Sequence, residues 1–381
     1  MNPKLKSYNQ TEHSSTLPPL TKELLFAHFK ECYLKSLSKK EESPFEEILA
    51  QTCYEQDVAE LNQEIKDDFF HWYMNIHHLD FLSSYIENPH LRELIIHNSF
   101  EGQIETEKRL ENLNFTLLPH DYQLALEVLA LRHHIAWNFS KPFASFPIEL
   151  KGEQYRATLI HEGISPKNKS KLFLRRLSKE TFSLEKFKID DETGQFLNKA
   201  IQEKKNILVA GATGSGKTSF MRTLLKAISA NEHLVIIEDT HELIEAHPHA
   251  SFLLGENLPH KTLKDHCAYA LRMRPDRIII GEMRSEEVVP FVLAMNTGHK
   301  GLMSTVHANS ASDSLHRLAL LFTLYSQNEN LSYELIMKLI CQNIDYVVFL
   351  KERKIDQIIK VLGSEGNQPY FNFIFGNEDT E

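Results

Sequence analysis

The octapeptide Gly211-Ala212-Thr213-Gly214-Ser215-Gly216-Lys217-Thr218 follows the apolar run ending at Ala210 and opens a helix-patterned stretch, Lys217–Ser229. No other feature constrains the fold as tightly. A G-x-x-x-x-G-K-[ST] loop between a strand and a helix aims successive backbone N–H groups, and a helix N-terminus, at one concave spot suited to phosphate oxygens. The glycines let backbone approach ligand closely. Lys217 is expected to neutralise β- and γ-phosphates, and the Thr218 hydroxyl to ligate Mg²⁺; Ser219 follows in the same helical turn. The expected ligands are ATP and Mg²⁺.

A nucleotide site also needs a carboxylate, to hold metal or to orient water, at the end of a neighbouring strand. Two apolar runs supply one. Leu234-Val235-Ile236-Ile237 ends in Glu238-Asp239 with Glu242 close behind, and Arg277-Ile278-Ile279-Ile280-Gly281 ends in Glu282 with Arg284 beyond. Continuous apolar runs of this length read as parallel strands buried on both faces, whose acids emerge at the carboxyl edge where open α/β sheets bind ligands. Glu242 also fits a plain helix cap. A third strand, Leu302–Val306, leads into His307-Ala308-Asn309, a polar cluster placed to sense a γ-phosphate. Arg272 and Arg274 are expected to face phosphate or a neighbouring subunit. Helical patterns at Thr262–Leu271, Ser285–Asn296 and Ser312–Leu324 alternate with these strands, and Tyr346–Leu350, Ile355–Val361 and Tyr370–Phe375 read as a closing meander at one edge.

The first half has a different texture. Met1 to about Leu20 reads as a loose tail, followed by amphipathic stripes at Leu25, Phe29, Cys32 and Tyr33 and again at Val58, Leu61, Ile65, Phe69 and Trp72, with a charged break at Ser38–Pro44 between them. Short strands at Leu94–Ile96, Gly102–Glu105, Phe146–Leu150 and Gln154–Ile160, with a helix marked by Leu124, Val128, Leu131 and Ile135, suggest a small α+β domain. The sequence divides into a helical region at 1–78, the α+β domain at 79–164, a basic linker at 165–190 and the nucleotide domain at 191–381. The 381 residues are enough for two to three domains. A net charge of −10 argues against a chain that coats nucleic acid, and four scattered cysteines without CxxC pairs argue against a disulfide framework or a four-cysteine zinc site. No apolar stretch reaches the length of a membrane span and no signal peptide is visible near Met1, so a cytoplasmic location is expected.

The runs Ala270-Leu271-Arg272-Met273-Arg274-Pro275-Asp276-Arg277-Ile278-Ile279-Ile280-Gly281-Glu282 and Ala294-Met295-Asn296-Thr297-Gly298-His299 through Met303-Ser304-Thr305-Val306-His307-Ala308-Asn309-Ser310 resemble the secretion ATPase superfamily. These are the motors of type II and type IV secretion and pilus assembly, and the likeness is nearest to the CpaF-type branch of tight-adherence pili. The resemblance implies a RecA-like P-loop ATPase domain with a mostly parallel sheet, preceded by a PAS-like α+β domain and an N-terminal helical region. It makes Gly211–Thr218 the Walker A loop, Glu238–Glu242 the Asp box, Arg277–Glu282 the Walker B strand and Gly298–Asn309 the His box. Glu238 or Glu282 would activate water, with Asp239 or Glu282 beside Thr218 at the metal, and Arg156, Arg175 or Arg176 would reach the phosphates. It further implies a homohexamer, peripheral at the cytoplasmic face of an inner membrane and working against a platform protein there. The alternatives are a conjugation-type type IV secretion ATPase, a RecA-like nucleic-acid motor, and an assembly protein that binds ATP without useful turnover.

Overall fold

The computed structural model describes residues 19–37, 43–106, 109–167, 169–177, 182–243, 246–255, 260–326 and 331–376. The expected tail before residue 19, most of the charged break (38–42) and residues 168 and 178–181 of the expected linker lie outside them. The chain divides into two compact units, Met1–Arg176 and Leu177–Glu381.

The first unit opens with helices α1 (Pro19–Ser36), α2 (Phe45–Glu55), α3 (Gln63–His78) and the single turn α4 (Ser83–Ile86). Strands β1 (Leu91–Ile96), β2 (Glu101–Thr106) and β3 (Leu110–Asn114), helix α5 (Pro119–Arg132), and strands β4 (Phe143–Leu150), β5 (Glu153–Ile160) and β6 (Lys171–Arg176) complete it. The strands form one antiparallel sheet in the order β3-β2-β1-β6-β5-β4. The apolar stripe of α1 is buried as its spacing requires, and Trp72 of α3 donates its indole N–H to Asp121 of α5 at 2.9 Å. One hydrophobic core runs from Leu25 through Leu174, so the helical region and the α+β region are a single body and no boundary falls at residue 78. The expected linker also needs correction. Leu172 and Leu174 are fully buried in β6, which occupies the middle of the sheet, and the unit ends at Arg176. Basic residues at alternating outward positions of a strand resemble a solvated linker when only charge is counted.

The second unit contains α6 (Asp191–Gln202), β7 (Ile207–Gly211), α7 (Lys217–Lys226), β8 (Leu234–Glu238), β9 (Ala250–Leu254), α8 (Leu263–Ala270), β10 (Arg277–Ile280) and α9 (Val288–Asn296). It continues with β11 (Met303–Val306), α10 (Ala311–Tyr325), α11 (Tyr333–Asn343), β12 (Tyr346–Lys351), β13 (Lys354–Glu365) and β14 (Gln368–Phe375). The sheet order is β14-β13-β12-β7-β11-β10-β8-β9. From β12 to β9 every pairing is parallel, and only β13 and β14 run antiparallel, so β12 belongs to the parallel set as well as to the closing meander. Alternate residues of each strand feed two cores. Leu208, Val235, Ile237, Ile278 and Val306 pack under α8, α9, α10 and α11, whereas Val209, Ile236, Ile279 and Met303 pack under α6 and α7. Each fully buried aliphatic side chain of this kind contributes about 1.5–3 kcal/mol, so most strand positions are apolar, with Arg277, Ser304 and Thr305 buried among them. The polar residues therefore gather where the parallel strands stop, on one rim.

Candidate functional site

Four parallel strands end on that rim in the spatial order β7, β11, β10, β8, so the phosphate-type loop, His307, Glu282 and Glu238 follow one another across the sheet edge. The loop between β7 and α7 needs its glycines. A Cβ on Gly211 would stand 2.5 Å from both the Leu350 carbonyl oxygen and the Ser215 hydroxyl, and Gly216, the N-cap of α7, has φ of 93°. Ser215 Oγ is buried with no hydrogen-bond partner among the described residues. An unsatisfied buried hydroxyl within a ring of amides fits a loop that receives an anion carrying its own acceptor oxygens.

Lys217 is 7% exposed and its ammonium folds back over the loop, 3.0 Å from the Gly211 carbonyl and 2.9 Å from that of Ala212. It also lies 3.1 Å from His307 Nδ1. An ammonium can only donate, so Nδ1 accepts and the imidazole proton sits on Nε2. That Nε2 is 2.6 Å from Glu282 Oε1. The contact lies off the line of a good hydrogen bond, leaving Oε1 buried without a well-aimed donor among the described residues. Lys217, His307 and Glu282, from three different strand ends, thus form one chain of contacts. Thr305 fixes its geometry, donating its hydroxyl to the Gly281 carbonyl at 2.7 Å and accepting the Met283 amide on its own carbonyl at 2.8 Å.

Glu238 is used differently. It is 4% exposed, and its Oε1 accepts the backbone N–H groups of Glu242 at 3.2 Å and Leu243 at 3.1 Å. Gly281 leaves the space it needs, since a Cβ there would approach Glu238 Cγ to 2.9 Å. Burial pushes the Glu238 carboxyl up to about 8, helped by the charges of Glu242 and Asp239 and opposed by the two amides. Asp239 is ion-paired with Arg284, and Arg222 of α7 donates to the Glu242 carbonyl, closing the same corner. Thr218 stands in the first turn of α7, Glu282 just past β10 and Asp239 just past β8, where Arg284 holds it; oxygen donors of this kind are the hard ligands that Mg²⁺ takes.

The three candidate arginines belong to the first unit and part company there. Arg156 of β5 pairs directly with Arg175 of β6, and Arg175 with Glu93 of β1, which places Arg156 and Arg175 on one face of the sheet. Arg176 points to the other face. It holds Glu153 at 2.8 Å and donates to the carbonyls of Asn88 and Pro89 at 3.1 and 3.2 Å, all structural contacts within the unit. Arg272 and Arg274 are exposed but precede the amino end of β10, so they lie on the rim opposite the loop and do not face its phosphate spot. Among the site's neighbours Asp313, His316, Arg317, Tyr333 and Arg353 carry no motif signal. A cleft of about 660 Å³ beside the loop is lined by Ala212, Thr213, His307, Asn309, Asp313, His316, Arg317 and Tyr333, and the Arg353 side chain from the β12–β13 turn packs over Gly216.

The family model described as type II/IV secretion system protein matches residues 158–357, more than half of the chain. The chain belongs to the type II/IV secretion system protein family. A type IV secretion system protein VirB11 of Bartonella quintana is 37% identical over 160 residues, 41% of this chain and 45% of the relative. A putative conjugal transfer protein of Mycobacterium tuberculosis is 39% identical over 130 residues, 33% of this chain and 37% of the relative. The chain thus matches less than half the length of these curated relatives. The crystal structure of the pilus retraction motor PilT with bound ADP superposes with a TM-score of 0.54 at 21% identity, covering 79% of this chain and 83% of that one. That likeness shows the fold, a RecA-like α/β architecture. Among the described residues no helix is long and apolar enough to cross a membrane.

Proposed function

We propose that this chain is an ATP-hydrolysing motor of a bacterial type IV secretion or pilus assembly machine. It would act as a homo-oligomer, six-membered by resemblance to its family, at the cytoplasmic face of the inner membrane against a platform protein. The observation that carries this reading is the contact chain Lys217–His307–Glu282, which joins three motifs at one sheet rim.

Phosphoryl transfer asks a protein mainly to position reactants and neutralise charge. When β- and γ-phosphate oxygens occupy the loop, they offer the Lys217 ammonium better acceptors than the carbonyls of Gly211 and Ala212. Mg²⁺ held by Thr218, with Asp239 or Glu282 nearby, would neutralise phosphate charge. Glu282 orients the attacking water. It is the acid with a buried oxygen lacking an aligned donor, whereas Glu238 is engaged by two amides and mostly protonated near neutrality. An acid in its protonated form cannot accept a proton from water. His307, touching both Lys217 and Glu282, reports phosphate occupancy to the acid.

The test is turnover and nucleotide binding in two variants. Lys217→Ala should abolish hydrolysis, and near-normal ATPase in it ends the proposal. Glu282→Gln should bind ATP yet hydrolyse it at least ~10²-fold more slowly; retained hydrolysis moves the water-activating role to Glu238. A conjugation-type machine is favoured by the name of the mycobacterial relative, and the tight-adherence branch by the motif runs at 270–282 and 294–310. ATPase stimulated by DNA, with steep salt dependence, would instead indicate a nucleic-acid motor.

A further inference from the structure

Far along the chain from the nucleotide loop, in the helices that open the first unit, three side chains of different chemistry converge. His28 and Cys32 are four residues apart on α1, which puts them on one helix face. Glu55 is the last residue of α2. His28 Nε2 lies 2.8 Å from Glu55 Oε2, Cys32 Sγ lies 3.7 Å from the same oxygen, and one donor atom from each of the three residues falls within 4.8 Å of the others. In tetrahedral coordination, ligands held about 2.0–2.3 Å from Zn²⁺ stand ~3.3–3.8 Å apart, so modest side-chain rotation suffices to enclose an ion.

We propose that His28, Cys32 and Glu55 form a transition-metal site, with Zn²⁺ as the ion the donors select. An ion pair alone accounts for His28 and Glu55; Cys32, buried as part of the apolar stripe of α1, brings a thiol to the same oxygen. Two of the donors also have an outer partner of the kind that orients metal ligands. Glu31 faces the far nitrogen of His28 at 3.7 Å, and Gln51 donates to the other oxygen of Glu55 at 2.8 Å. One imidazole, one thiolate and one carboxylate make a borderline-soft set, matched to Zn²⁺ rather than to Mg²⁺ or Ca²⁺. Glu55 is the exposed member, so the fourth position opens to solvent and takes water. The ion would tie α1 to α2, two helices otherwise joined by apolar packing.

The experiment uses the full chain, stripped with a chelator and titrated with Co²⁺ and then Zn²⁺. One equivalent of Co²⁺ should bind, with a thiolate-to-cobalt charge-transfer band that Zn²⁺ displaces, and the first unit's melting temperature should rise with Zn²⁺. Cys32→Ala should remove the band, while Cys53→Ala keeps it. Glu55→Gln, which preserves shape and leaves the buried residues in place, should weaken binding ~100-fold or more. Absence of a thiolate band in the unaltered chain overturns the proposal, and so does Co²⁺ affinity that is the same in the unaltered chain, Glu55→Gln and His28→Ala.

Discussion

Glu238→Gln should change how the stability of the second unit depends on pH, and the structure sets both sign and size. The Glu238 carboxyl titrates near 4.5 when unfolded and about 8 when folded, because burial disfavours its charge. The folded state therefore holds a proton that the unfolded state has lost, and stability falls as pH rises. The contribution is fully present below about pH 4.5 and is lost as pH climbs through about 8. Between pH 6 and pH 9 the loss is roughly 2–3 kcal/mol, from about 1.4 kcal/mol for each unit of proton linkage. For a unit of this size that equals about 5–10 °C in Tm. Glutamine keeps the shape, and its carbonyl can take the place of Oε1, which accepts both the Glu242 and Leu243 amides. The variant should therefore match the unaltered protein below about pH 4.5, and the gap between the two should widen by this amount from pH 6 to pH 9. Calorimetry across that range is the assay. Parallel stability profiles for the two proteins would falsify the assignment of Glu238 as a buried acid, and with it the reason for preferring Glu282 at the attacking water.

Two further outcomes separate catalytic contact from scaffolding. His307→Ala breaks the contacts to Lys217 and Glu282 and should lower kcat ~10–10²-fold with little change in nucleotide affinity, as steady-state kinetics alongside a binding titration would show; unchanged kcat removes His307 from the mechanism. Arg176→Ala loses an ion pair and two carbonyl contacts and should destabilise the first unit by about 1–3 kcal/mol, read from its melting transition; an unchanged transition would show that these contacts do not hold the unit together.

Much of the second unit is legible in the sequence because local patterns there coincide with global ones. The strands at Ile207–Gly211 and Leu234–Glu238, and the Ile278–Ile280 part of the strand at Arg277–Ile280, are continuous apolar runs, and such runs have one stable setting, the middle of a sheet covered on both faces, where Met303–Val306 joins them with Ser304 and Thr305 buried. Once they are parallel, the residues just past their ends share a rim, so the grouping of the loop, Glu238, Glu282 and His307 follows. Strand β9 and helix α11 escape notice because β9 is an edge strand only partly buried and α11 follows a short polar stretch. The β6 strand shows in its apolar run, since Leu172 and Leu174 carry the period-two signal, but the basic residues around it read by charge as a linker.

What one-dimensional pattern does not contain is competition for a side chain by groups that only the folded path brings near. Glu238 and Glu282 look equivalent as acids after apolar strands. They differ because the turn after β8 presents two amide donors to one of them and the neighbouring strand presents His307 to the other. The same holds for the arginines: adjacent positions in a strand must face opposite ways, so Arg175 and Arg176 cannot share a role, yet only the pairing of Arg175 with Arg156 tells which face each takes. His28 and Cys32 show a helical spacing that any reader can see, but Glu55 joins them through the packing of α1 on α2. A motif therefore nominates atoms that can meet a ligand, and the register of strands and helices decides which are left free to do so.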